Sequence, residues 1–156
     1  MNQEYFSVQL APEINLGIPL ANMGAVIQLE VNNICPVPGV AAFWYGVVNF
    51  KGSLLWVLDS DRYFHLVSKQ KLKRKLTAVV LKYDPAKSSR QIALVTQQLI
   101  GITTLKAQHE EISENISSNL KNCCSASAVT EAKNTYILNP ANLSQQLHQQ
   151  SSLISA

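Results

Sequence analysis

Few side chains in this sequence stand at spacings that do chemistry. His65, His109 and His148 lie far apart, with no Cys, Asp or Glu at metal-ligand spacing, and none sits in a recognisable nucleophile or zinc motif. Asp59 and Asp61 could offer two carboxylates to a cation, but D-S-D ahead of a short helical stretch is explained more cheaply by capping and by the helix dipole. Glu110 and Glu111 read as a solvated pair. Cys35, Cys123 and Cys124 are odd in number, and a vicinal pair is awkward to bridge and lacks zinc-type spacing. Reduced thiols are therefore expected, with a redox switch at Cys123-Cys124 as the functional alternative. The 6 glycines are scattered and form no phosphate-cradling loop. No catalytic, metal or cofactor-binding residues are assigned, and the expected chemistry is binding rather than reaction.

Charge points the same way. The net charge of +3 is local in origin, because Lys69, Lys71, Lys73, Arg74 and Lys75 cluster without an acid among them. Such a run is usually a solvated loop between strands, but it can also hold nucleic acid. With Phe43, Trp44, Tyr45 and Trp56 as a stacking platform, a small-barrel nucleic-acid-binding module using the basic loop 69–75 is the alternative function. The apolar neighbours of those aromatics favour core and interface roles instead.

The elements that position these residues are mostly short strands. A chain of 156 residues, 47% hydrophobic and 15% charged, suits one domain that buries roughly 70% of its unfolded surface. No segment reaches the roughly 18 apolar residues of a membrane span, and the N-terminus lacks the features of a secretory signal, so a cytoplasmic location is expected. Residues 5–10 and 14–20 alternate apolar and polar side chains and read as two strands, with residues 23–29 as a third and 30–35 as a loop. Further strands are expected at 76–83, 91–96 and 98–105, with a bulge at Gly101, and at 136–138. Ile112, Ile116 and Leu120 recur at helical spacing among poor helix formers, so residues 106–134 read as a loop with one helical segment and with turns at 125–127 and 130–134 around short strand pieces. Asn139-Pro140 starts a final helix with Leu143 and Leu147 on its apolar face, and residues 149–156 form a frayed tail.

The most informative stretch is residues 36–64. Strands over Trp44–Phe50 and Ser53–Leu58 flank Lys51-Gly52, a two-residue loop whose second-position Gly favours a hairpin turn. The implied register pairs Phe50 with Ser53, Val48 with Leu55 and Gly46 with Val57 on one face. On the other it pairs Asn49 with Leu54, Val47 with Trp56 and Tyr45 with Leu58. Both faces are apolar, so one can fill a core while the other must meet a second part of the chain or a partner.

PVPG at 36–39, GVVNFKG at 46–52 and LLWVLDSDRYF at 54–64 resemble the pattern of the CheW-like family of chemotaxis adaptors. That pattern has a P-x-P approach, a G-V-x-N-x-R-G hairpin and a strand ending in aspartate before a short helix. IPLANMGAVIQL at 18–29, TAVVLK at 77–82 and TYILNPANL at 135–143 are similar to its flanking strands and last helix. The resemblance implies a mainly β fold of two small five-stranded SH3-like β-barrels packed together, with short helices including one at the C-terminus, over a single domain 1–156. It further implies a non-catalytic adaptor coupling the cytoplasmic tip of methyl-accepting chemoreceptors to a CheA-type histidine kinase, held at the inner face of the membrane through receptor arrays.

By the same resemblance, partner binding is expected at Gly46, Val47, Asn49, Lys51, Gly52 and Trp56. Lys51 stands where the family usually has Arg, which keeps the charge and loses the planar fork. Ala25 stands where the family commonly has an acid, and residues 106–134 lack the family's prolines. These departures suggest a divergent member, and GVVNFKGSLLWVLD looks closer to adaptors of cyanobacterial type IV pilus motility or phototaxis.

Overall fold

The computed structural model describes residues 2–66, 74–82, 91–106, 116–130 and 133–150. Ten strands among them form two five-stranded sheets. Strands β1 (Asn2–Ala11), β2 (Ile14–Pro19), β3 (Met23–Glu30), β4 (Trp44–Phe50) and β5 (Ser53–Leu58) precede β6 (Lys75–Lys82), β7 (Gln91–Thr96), β8 (Gln98–Lys106), β9 (Cys124–Thr130) and β10 (Lys133–Leu138). The first sheet runs β8-β1-β2-β10-β9, so the N-terminal hairpin is joined to the C-terminal one by parallel pairing of β2 with β10. The second runs β3-β6-β7-β5-β4, with β5 and β7 parallel. The two barrels therefore interleave along the chain, and no single cut separates them.

Alternation explains which face each strand buries. Val8, Leu10, Leu16 and Ile18 from the first sheet meet Leu58, Val79, Leu81, Ile92 and Leu94 from the second in one shared core. Three short helices seal it: α1 (Ser60–Tyr63), α2 (Ser118–Cys123) and α3 (Pro140–Gln150), contributing Tyr63, Leu120, Leu143 and Leu147. The opposite residues of the second sheet, including Val48, Leu55, Val57, Ala78, Val80 and Ala93, fill that barrel's own interior with Ile34. Tyr5, Leu105 and Ile137 do the same in the first.

The second barrel closes between residues 12 positions apart in sequence. After β3 a 3-10 turn, Val31–Asn33, leads to Cys35, whose N–H and C=O exchange hydrogen bonds of 2.9 Å with the C=O and N–H of Val47 on β4. Residues 30–35, expected as a loop, thus tie one edge of the sheet to the other.

Other expectations are revised. The expected helical segment is present as α2, capped by Ser117, whose Oγ accepts from the Leu120 N–H at 3.3 Å. Ile112 lies outside the described residues. Residues 125–127, expected as a turn, are instead part of β9, where Ala126, Ser127 and Ala128 stand opposite Ile137, Tyr136 and Thr135; of the turn expected at 130–134, Thr130 ends β9, Lys133 and Asn134 begin β10, and residues 131–132 lie outside the described residues. The small side chains of residues 126–128 carry little strand signal; the neighbouring ladder decides their conformation. Gly101 has φ 113, and the β1–β8 register shifts beside it, as a bulge requires. Helix α3 continues through Gln150, and the rest of the expected frayed tail lies outside the described residues. Among the described residues, no helix is long and apolar enough to cross a membrane.

Candidate functional site, the outer face of the β4–β5 hairpin

The hairpin turn has the left-handed conformation at both central residues, Lys51 at φ 50 and Gly52 at φ 80. That is the type I′ geometry, whose twist matches the flanking strands. Asn49 reinforces it, since its Oδ1 accepts a 3.0 Å hydrogen bond from the Gly52 N–H. The pairs from Phe50–Ser53 to Gly46–Val57 form in the expected register.

Register then changes. A bulge at Tyr45 pairs Trp44, rather than Tyr45, with Leu58, correcting the expected Tyr45–Leu58 pair. Two interactions hold the bulge, one on each side. At Gly46, φ is 142, and a Cβ there would collide with the Cys35 carbonyl of the barrel closure. At Tyr45, burial followed by the negative charges of Asp59 and Asp61 pushes the phenol pKa up to about 12, which places the ring beside the start of α1.

Asp59 has a structural task. Its Oδ1 accepts from the Arg62 N–H at 3.3 Å as the α1 cap, and its Oδ2 lies 3.5 Å from Arg62 Nε. Arg62 Nη1 donates to the Ala42 carbonyl at 3.2 Å, and the Asp59 N–H to the Phe43 carbonyl at 2.8 Å. The network fastens the segment entering β4 to the start of α1.

These features sort the six expected partner-binding residues. Val47, Asn49 and Trp56 share the outer face with Leu54. Val47 and Trp56 are half-buried and Asn49 is exposed. Trp56 packs edge-on against Trp44 at 5.4 Å between ring centroids. Lys51 is at the tip, with Nζ 5.2 Å from the centre of the Phe50 ring, so its head leans toward the other face. Gly52 belongs to the turn, whereas Gly46 is buried against Cys35 and offers no surface.

Leu54, absent from the expected set, is 74% exposed, the most exposed large apolar side chain among the described residues. Its pairing with Asn49 was legible from the turn; its exposure was not. A second exposed apolar pair, Ile100 and Ile102, lies on the outer strand β8.

The other candidate groups do not converge. His65 and His148 are exposed on separate elements, and His109, Glu110 and Glu111 lie outside the described residues. Among the described residues no group of three His, Cys, Asp or Glu side chains could hold a metal ion. Of the basic cluster, Lys69, Lys71 and Lys73 lie outside the described residues; Arg74 and Lys75 are exposed, and Lys75 pairs across the strands with Glu30. Cys123 and Cys124 are buried free thiols. The hydrogen bond to Cys123 and then burial push the Cys124 thiol strongly up, which keeps it from the reactive thiolate form.

Comparison with known proteins agrees with the architecture. The scaffolding protein TtCheW from Thermoanaerobacter tengcongensis is similar in structure, with a TM-score of 0.71 over 88% of this chain and 89% of that one, at 16% sequence identity. No curated protein sequence matches the chain. The family model described as the CheW-like domain matches residues 4–148. Two interleaved barrels, the closed hairpin and that match over nearly the whole chain have one reading: this chain belongs to the CheW-like domain family, a family of non-catalytic adaptors.

Proposed function

We propose that this chain couples chemoreceptors to a CheA-type histidine kinase, and that the outer face of the β4–β5 hairpin is its receptor-side docking surface. The observation that carries this reading is the exposure of Leu54 beside half-buried Val47 and Trp56, on a strand pair whose other face is buried in the barrel. An apolar centre with a charge at its rim is the usual anatomy of a protein interface. Leu54, Val47 and Trp56 supply the apolar centre, and Lys51 supplies orientation and steering toward an acidic partner. Gly46 serves the surface by closing the barrel beneath it, without touching the partner.

Isothermal titration of the chain with a receptor cytoplasmic-tip fragment and with the kinase regulatory domain from the same organism tests the reading. Binding of both, with Leu54→Asp weakening the receptor contact alone, is the expected result. Absence of binding to either at tens of micromolar concentrations removes the coupling role.

A further inference from the structure

Resting on that reading of the hairpin, we infer that Asn49 is a positioning residue for the docking surface rather than a contact. It holds the Lys51-Gly52 turn through the Gly52 amide and thereby fixes where Lys51 and Leu54 stand.

The turn has little else to hold it. Lys51 is at φ 50, a conformation that a residue with a side chain adopts reluctantly. Nothing lies within 4 Å of the place where a Cβ on Gly52 would stand, so packing does not clamp the loop. What remains is local: the strand ladder, the Lys51 ammonium over the Phe50 ring, and the 3.0 Å bond from the Gly52 N–H to Asn49 Oδ1. Of these, only the Asn49 bond reaches the backbone between the two left-handed residues. Asn49 also stands directly across from Leu54, so the same side chain links the tip of the turn to the exposed end of the apolar face. Its oxygen is committed to the turn, and any direct contact with a partner would have to use its NH₂ group.

That division of labour gives the test. Asn49→Asp keeps the oxygen acceptor and loses the donor, whereas Asn49→Ala loses both. Two readouts on the full chain separate the roles: hydrogen exchange of the Gly52 amide, and affinity for the receptor-tip fragment at high salt, where an added carboxylate is screened. In Asn49→Ala, faster Gly52 exchange and a Kd raised roughly three- to ten-fold are expected, the scale of one lost neutral hydrogen bond. In Asn49→Asp both should stay near wild type. Unchanged Gly52 exchange in Asn49→Ala overturns the inference, and so does an affinity lost equally in both variants while Asn49→Asp keeps Gly52 protected. Failure of the docking reading has a different signature, in which Leu54→Asp and Lys51→Glu leave the receptor Kd untouched.

Discussion

Gly46 and Cys35 meet backbone against backbone, with the Cys35 carbonyl occupying the space that a side chain on Gly46 would need. The contact lets Val47 exchange both of its ladder hydrogen bonds with Cys35 and so closes the second barrel. Gly46→Ala must either break that closure or displace the bulged strand. The expected cost is about 3 kcal/mol or more, with strained φ added to the clash. Urea denaturation of the variant against wild type measures it, and a loss under 1 kcal/mol would show that the closure is dispensable.

Gly52 offers a contrast at the other end of the same strand. Its φ of 80 needs Gly, yet the space around it is open. Gly52→Val should therefore cost only the conformational penalty, about 1 to 2 kcal/mol. Lys51→Asn, which suits the left-handed position better, should be neutral or stabilising by a few tenths of a kcal/mol. Thermal melts of the two variants should shift in opposite directions or by clearly unequal amounts.

Leu54→Asp and Lys51→Glu separate docking from stability. Both side chains are exposed, so the melting free energy should stay within about 0.5 kcal/mol of wild type. Receptor-tip affinity should fall about ten-fold or more for Leu54→Asp, as for an interface anchor. The chain's 2 tryptophans both belong to this hairpin, so intrinsic fluorescence reports the binding directly. Unfolding of Lys51→Glu would mean that Lys51 is not the exposed tip residue it is in this structure.

The phenol of Tyr45 makes the alkaline limb of stability informative. Its pKa rises from 10.0 to about 12 in the folded chain. The folded state therefore keeps a proton that the unfolded state releases, and stability present below pH 10 is lost as pH rises from about 10 to 12. Tyr63 is shifted in the same direction by burial. Tyr45→Phe should accordingly reduce the steepness of that loss without abolishing it. Denaturation midpoints collected across this range give the slope, and an unchanged slope would place Tyr45 in solvent.

Thiol reactivity provides a simple check on the core. Cys35 is exposed, while Cys123 and Cys124 are buried among Leu120, Leu143 and Tyr63. A thiol reagent should titrate one cysteine in the native chain and all three after unfolding. Rapid reaction of two or three native thiols would restore the redox-switch reading.

Much of the fold was legible because its determinants are local. Period-two alternation located β1 and β2, and the Lys51-Gly52 loop between two apolar runs located β4 and β5 and set their register from Phe50–Ser53 to Gly46–Val57. The cap at Asp59 and the start of α3 at Asn139-Pro140 likewise follow from a few adjacent residues. The pattern broke where residues remote in sequence intervene. The bulge at Tyr45 is shaped by Cys35 on one side and Asp59 on the other. The small residues of β9 become a strand because β10 offers them a ladder.

The candidate site divides the same way. That the hairpin has apolar residues on both faces follows from the order of residues alone, since the two-residue turn and the register it sets depend only on neighbours in the chain. Which of those apolar residues stay in contact with water depends on how distant strands pack. Val48, Leu55 and Val57 vanish into the barrel that Ala78, Val80 and Ala93 complete, and Leu58 into the shared core, while Leu54 is left exposed near the turn. Exposure is a property of what packs against a face, and those packing partners come from segments remote from the hairpin in the chain, on both sides of it.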